Sequence, residues 1–285
     1  MMEYLGAFYD QAEFDRQFNP RLVATNPDGV PERRAVLSDA IRARRPHALG
    51  LAYGDGVRET VDVFPTEAPN APVLVYFHGG YWRSGAARDN NYVAAPFIEA
   101  GACVVLVNYD LCPTVSIGTI VAQTRAALRW IHETVEEHGG DGGRLLLFGH
   151  SAGAHLAAMA LADESGVTPL EAITGAVLVS GIYDLDPVSR AAVNKEIGLA
   201  ASDVAPFSPL GHPPRKPVPL IVAVGLAEST EWVRQSHLYA GMAEAAGCPV
   251  ERIDMPDADH YKPLFDILEP GDRLRAAIIA RMGLA

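Results

Sequence analysis

The chain has 285 residues, 49% of them hydrophobic and 20% charged, with a net charge of −12 when histidine is counted neutral. That composition supplies a large core and excludes a disordered chain. The acidity argues against nucleic acid or an anionic membrane as partner, because both call for basic patches.

The opening Met1-Met2-Glu3-Tyr4-Leu5-Gly6 has no basic segment followed by an apolar one, as a secretory signal would. No apolar run approaches the length that spans a bilayer. Cys103, Cys112 and Cys248 are odd in number and widely spaced, which reads as reduced thiols in a cytoplasm. A soluble cytoplasmic protein is expected, with a homodimer left open. Residues 1 to about 50 are polar and lack strand runs, so helices and loops packed over one edge of the domain are expected there.

From about residue 70, apolar runs alternate with helical patterns. Pro72 to Phe77, Ala102 to Val107, Arg144 to Phe148, Gly175 to Val179 and Pro219 to Val224 each read as a strand buried on both faces. Thr119 to Glu137, Ala154 to Leu161, Glu231 to Ala246 and Asp272 to Met282 carry apolar residues three and four apart, as helices do. The repetition predicts a doubly wound α/β domain: one mostly parallel sheet with helices on both faces. The proline-rich stretch from about 183 to 217 breaks the rhythm and is expected to form a small lid over the strand ends. One domain is expected over 1–285.

Chemistry concentrates at Gly149-His150-Ser151-Ala152-Gly153, where an apolar run enters Gly-x-Ser-x-Gly and an alanine-rich helix follows. This order suits a nucleophile elbow, a tight strand-to-helix turn that lifts a serine hydroxyl clear of the sheet. A serine needs a base, and the base needs an orienting carboxylate. His260, in the short polar segment Asp257-Ala258-Asp259-His260-Tyr261, is the candidate base, ahead of His155, His212 and His237. Glu228, in the loop after the strand ending at Val224, is the candidate acid. Glu231 is second, and Asp254 and Asp257 follow.

A second glycine-rich turn, His78-Gly79-Gly80-Tyr81-Trp82, follows the strand Val73 to Phe77. Gly79, Gly80, Tyr81 and the N–H of Ala152 are the candidate oxyanion hole. Trp82, Tyr109 and His150 are candidates for substrate contact. Cys112 lacks an elbow and reads as a loop residue. His150 and His155 lack the spacing and company of a metal motif.

These segments resemble the arylformamidase (kynurenine formamidase) branch of the α/β-hydrolases, neighbour to the hormone-sensitive-lipase-like esterases. The resemblance rests on His78 to Trp82, Asn108-Tyr109-Asp110-Leu111-Cys112-Pro113, Gly149 to Leu156, Glu231 to Ser236 and Phe18-Asn19-Pro20-Arg21. It implies the α/β-hydrolase fold and hydrolysis of aryl formamides or carboxylic esters without metal or cofactor. Ser151 would be the nucleophile, Glu228 the acid and His260 the base. The family leads one to expect aspartate at the acid position, where this chain carries a residue one methylene longer. Tyrosine and tryptophan follow Gly80 where lipase-like esterases carry a third glycine. A carboxylesterase with arylformamidase-like architecture is the first expectation. Kynurenine formamidase proper comes second, and a non-catalytic receptor on the same fold third.

Overall fold

The computed structural model describes residues 1–284. A hairpin, β1 (Met2–Tyr4) and β2 (Ala7–Tyr9), opens the chain. Eight further strands form one sheet: β3 (Ala48–Ala52), β4 (Thr60–Phe64), β5 (Ala71–Phe77), β6 (Cys103–Val107), β7 (Gly140–His150), β8 (Ile173–Val179), β9 (Leu220–Gly225) and β10 (Val250–Met255). Their spatial order is β10-β9-β8-β7-β5-β6-β4-β3. Every neighbouring pair from β10 to β6 is parallel, whereas β4 runs antiparallel to both β6 and β3. The expected mostly parallel sheet is therefore present, with two antiparallel strands added at one edge.

The apolar runs have a direct cause. Val73, Val75 and Phe77 enter one core cluster, while Leu74 and Tyr76, pointing the other way, enter a second. The longer helices are α1 (Gln11–Phe18), α2 (Val30–Arg42), α3 (Ile117–Thr134), α4 (Ala152–Leu161), α5 (Thr230–Ala245) and α6 (Arg273–Met282). Helices α3, α4 and α5 supply Leu128, Ala157 and Tyr239 to the first cluster. Helices α2 and α6 supply Ile41 and Ile278 to the second. Among the described residues, no helix is long and apolar enough to cross a membrane.

Three regions differ from the sequence expectation. The first fifty residues contain the β1–β2 hairpin and β3, strands too short or too broken for periodicity to register. In β4 an aspartate sits mid-strand. Asp62 is buried and accepts hydrogen bonds from the Gly50 N–H and Asn91 Nδ2, both at 3.0 Å, so the strand tolerates it. The third difference concerns 183–217. Its Leu185, Val188 and Ile197 pack with Phe14, Phe18 and Trp82 in a third cluster beside the sheet. None of its residues lines the cavity over the strand ends, which is roofed instead by residues from 19 to 34.

The register sets up the site. Phe77, the last residue of β5, pairs with Gly149, and His150, the last of β7, pairs with Val179, the last of β8. The loops after β5, β7, β8, β9 and β10 thus leave from one carboxyl edge, where ligands bind in open α/β sheets.

Candidate active site

Ser151 lies between β7 and α4 with φ 57° and ψ −121°, a left-handed conformation rarely adopted by a residue with a side chain. Its N–H donates to the Val179 carbonyl at 2.9 Å, and it is 3% exposed. The turn is tight enough to demand glycine behind it: a Cβ on Gly153 would stand 1.9 Å from the Phe77 carbonyl oxygen. Ala152 is the first helical residue, so its N–H is one of the four without a partner inside the helix.

His260 Nδ1 lies 2.6 Å from Glu228 Oε2, and both side chains are almost wholly buried. A carboxylate only accepts, so Nδ1 carries the hydrogen and Nε2 remains the basic nitrogen. The other oxygen of Glu228 accepts from Ser180 Oγ at 2.5 Å and from the Gly225 N–H at 3.0 Å. Ser180 is itself left-handed (φ 49°). Its N–H donates to the Ala223 carbonyl at 2.8 Å, and its carbonyl accepts from Trp232 Nε1 at 2.7 Å. The Trp232 ring stands edge-on to His260, with centroids 5.0 Å apart.

Glu231 serves elsewhere. It is 1% exposed and pairs with Arg234 at 2.6 Å, and the Tyr9 hydroxyl also donates to it. Its N–H donates to Gln17 Oε1 at 3.1 Å. It therefore ties the N-terminal segment to α5. Asp254 pairs with His237 at 3.0 Å on the outer side of the chain.

A cavity of about 570 Å³ opens over this edge, and Gly79, Gly80, Tyr81, His150, Ser151 and His260 all line it. Gly80 has φ +129°, and a Cβ there would meet the Ser84 carbonyl at 2.1 Å, so only glycine passes this turn. Tyr81 follows at φ 54°, and its hydroxyl donates to the Phe18 carbonyl.

His150 is buried, and its Nε2 donates to the His260 carbonyl at 2.7 Å. Burial, then the neighbouring His260 and Arg34, hold its pKa well below the ordinary value. Burial likewise pushes His78 down to about 3. Both rings are thus neutral at neutral pH.

Trp82 and Tyr109, expected at the substrate, stand behind the wall. Each is 0% exposed, and neither lines the cavity. Tyr109 stacks on His78 at 4.2 Å, donates its hydroxyl hydrogen to the His78 carbonyl at 2.6 Å, and accepts from Arg58 Nε at 2.8 Å through its own carbonyl. Trp82 packs against His155, and its carbonyl accepts from the Cys112 N–H at 2.8 Å. Large rings beside a glycine turn can brace it from below as readily as line the space above. Cys112 is buried, which raises its pKa to about 11, unlike an activated thiol.

Residues 74–262 match the family model described as alpha/beta hydrolase fold. The chain belongs to the alpha/beta-hydrolase family. Among its relatives, kynurenine formamidase of Salmo salar is 31% identical over 95% of this chain and 96% of its own length. An esterase of Mycobacterium tuberculosis, LipC, is 26% identical over 87% of this chain and 68% of its own. Among solved structures, a candidate thioesterase from Silicibacter sp. TM1040 superposes with a TM-score of 0.81 at 25% identity, covering 95% of this chain and 99% of its own.

Two features of this hydrolase were not singled out from sequence. Ser180, at the end of β8, contacts Glu228, and its only sequence signal was its place at a strand's carboxyl end. Arg34 of α2 lines the cavity, although an arginine among others on an amphipathic helix reads as a solvated side chain. Among the described residues, no group of three or more histidine, cysteine, aspartate or glutamate side chains could hold a metal ion.

Proposed function

We propose that this hydrolase cleaves carboxylic esters or aryl formamides through an acyl-enzyme intermediate on Ser151. The observation carrying this is the strained Ser151 at a helix start, lining the same cavity as a His260 whose Nδ1 is held 2.6 Å from Glu228. In the proposed reaction Ser151 Oγ attacks the substrate carbonyl carbon as His260 Nε2 takes its proton. Glu228 keeps the imidazole in the right tautomer and stabilises its charged form. The N–H groups of Gly80, Tyr81 and Ala152 receive the developing oxyanion, with Gly79 giving the turn room to approach. His260 returns the proton to the leaving alcohol or amine. Water, activated by the same imidazole, then releases the acyl group and restores Ser151.

The favoured substrate class is a short acyl or aryl ester on an arylformamidase-like architecture. Kynurenine formamidase activity proper is the second reading, supported by a relative of that name matched across 95% of the chain. Hydrolysis of p-nitrophenyl acetate and of N-formylkynurenine by wild type and Ser151→Ala, side by side, tests both. The variant should lose on the order of 10⁴-fold or more in kcat. A variant as active as the wild type would remove the serine mechanism. A wild type that greatly favours N-formylkynurenine would make the second reading the first.

A further inference from the structure

The cavity's charge runs against that of the chain. In a protein of net charge −12, the charged residues lining this space are Arg21, Arg34 and Arg83 against a single aspartate, the exposed Asp89. Two of the arginines are already engaged. Arg21 Nη2 pairs with Asp28 at 2.5 Å, and Arg83 Nη1 pairs with Glu196 at 2.7 Å. Arg34 is different: among the described residues, no carboxylate lies within 4 Å of its guanidinium, Asp89 included.

The phenols of Tyr76, Tyr92 and Tyr261 face it, and among the described residues no carboxylate does. The Arg34 Nε is out of solvent without a hydrogen-bond partner. The guanidinium carbon lies 5.8 Å from the centre of the Tyr261 ring, and the neighbouring phenols of Tyr76 and Tyr92 are held neutral by burial. A guanidinium partly withdrawn from water gains from an anion that meets it, and its planar fork matches a carboxylate. Such a group, lining the same cavity as Ser151 and His260, has no carboxylate partner among the described residues.

We propose that Arg34 is the anion subsite of this cavity, pairing with a carboxylate carried by the ester or amide substrate. The inference deepens the hydrolase reading and rests on it for the identity of the bond cleaved. It narrows the substrate class from esters and formamides in general to those bearing a carboxylate on the acyl or the aryl side. Arg34 is a specificity-determining residue here and takes no proton in the reaction.

The test compares matched substrates: 3-acetoxybenzoate against phenyl acetate, and 4-nitrophenyl hydrogen succinate against 4-nitrophenyl butyrate. Wild type should favour at least one anionic member by about tenfold or more in kcat/KM, the worth of one charge-assisted hydrogen bond. Arg34→Met should abolish that ratio, mainly through KM, and Arg34→Lys should restore part of it. Arg33→Met, an exposed neighbour on the same helix that does not line the cavity, should keep the ratio.

Two measurements stand apart from the folding of Arg34→Met and from turnover. On the wild type, benzoate should inhibit ester hydrolysis competitively and more strongly than benzamide. Calorimetry should show Ser151→Ala binding 3-acetoxybenzoate more tightly than phenyl acetate, with the difference lost when Arg34→Met is added. Anion-selective binding in a protein that hydrolyses nothing would keep the subsite and remove the hydrolase reading. Hydrolysis without any anionic preference, or with a preference that survives Arg34→Met, would overturn the subsite and leave the hydrolase reading standing.

Discussion

Replacing Ser180 with alanine isolates the polar frame that holds the proposed base. Its hydroxyl donates to Glu228 Oε1 at 2.5 Å, while its backbone is pinned independently through the Ala223 carbonyl and Trp232 Nε1. The substitution therefore removes one hydrogen bond to a carboxylate and little else. Such a bond contributes about 1.5–3 kcal/mol. Glu228 would keep the Gly225 N–H and His260, but with a freer carboxylate the imidazole is less well oriented at the moment it becomes charged. If the loss falls wholly on the transition state, kcat should drop roughly 10- to 150-fold. KM should stay near its wild-type value, because Ser180 is 0% exposed and does not line the cavity. The assay is steady-state hydrolysis of p-nitrophenyl acetate, paired with a thermal melt on the same preparation. A folded variant with wild-type kcat, or one that loses only KM, would refute the argument that Ser180 positions the acid.

The two glutamates should separate cleanly. Glu228→Gln should lower kcat by on the order of 10³- to 10⁴-fold, since an amide cannot stabilise the imidazolium. Glu231→Gln should leave kcat within about threefold and cost about 1–3 kcal/mol of stability through its lost pairing with Arg234 and Tyr9; a large kcat loss there would exchange the two roles. Stability should also fall with acid. Burial depresses the folded-state pKa of His78 to about 3, of His155 to about 4, and of His150 well below normal, against 6.5 for the unfolded ring. Below pH 6.5 the unfolded chain therefore takes up protons that the folded one refuses. Each ring should remove about 1.4 kcal/mol per pH unit until its own folded pKa is reached. Thermal melts should give a lower Tm at pH 5 than at pH 7.5, and a flat or rising Tm would contradict the buried neutral rings.

What could be read from sequence follows from how locally each feature is encoded. The five central strands are legible because burial on both faces forces continuous apolar runs, as Val73 to Phe77 show. The strands towards the two edges are not, because Asp62 in β4 and Glu251, Arg252 and Asp254 in β10 interrupt the apolar run, and their partners lie elsewhere in the chain. The Gly-x-Ser-x-Gly turn, together with the loops that follow it in chain order, points to Ser151, Glu228 and His260, and the last two stand in hydrogen-bond contact in the structure. Trp82 and Tyr109 sit close to the glycine turn in sequence or space, but which side of the turn a ring takes depends on His78 and His155 beneath it. Arg34 is invisible for a related reason. What distinguishes it from the exposed Arg33 is that it lines the cavity, and neighbouring arginines on one helix carry no local sign of which does so.

The roof of the cavity has a consequence for when the site comes into being. Gln17 accepts from Ser229 Oγ at 2.7 Å, the Thr25 N–H donates to Asp259 at 2.8 Å, and Tyr9 reaches Glu231. Residues that leave the ribosome early thus dock on residues that leave it late, across more than two hundred positions of chain. The sheet through β8 can assemble around Ser151 while synthesis is still under way, but the substrate chamber closes only after the Glu228 and His260 loops have emerged. Between the closing of β8 and the arrival of the His260 loop, the nascent protein carries its strained serine without a chamber in which to use it.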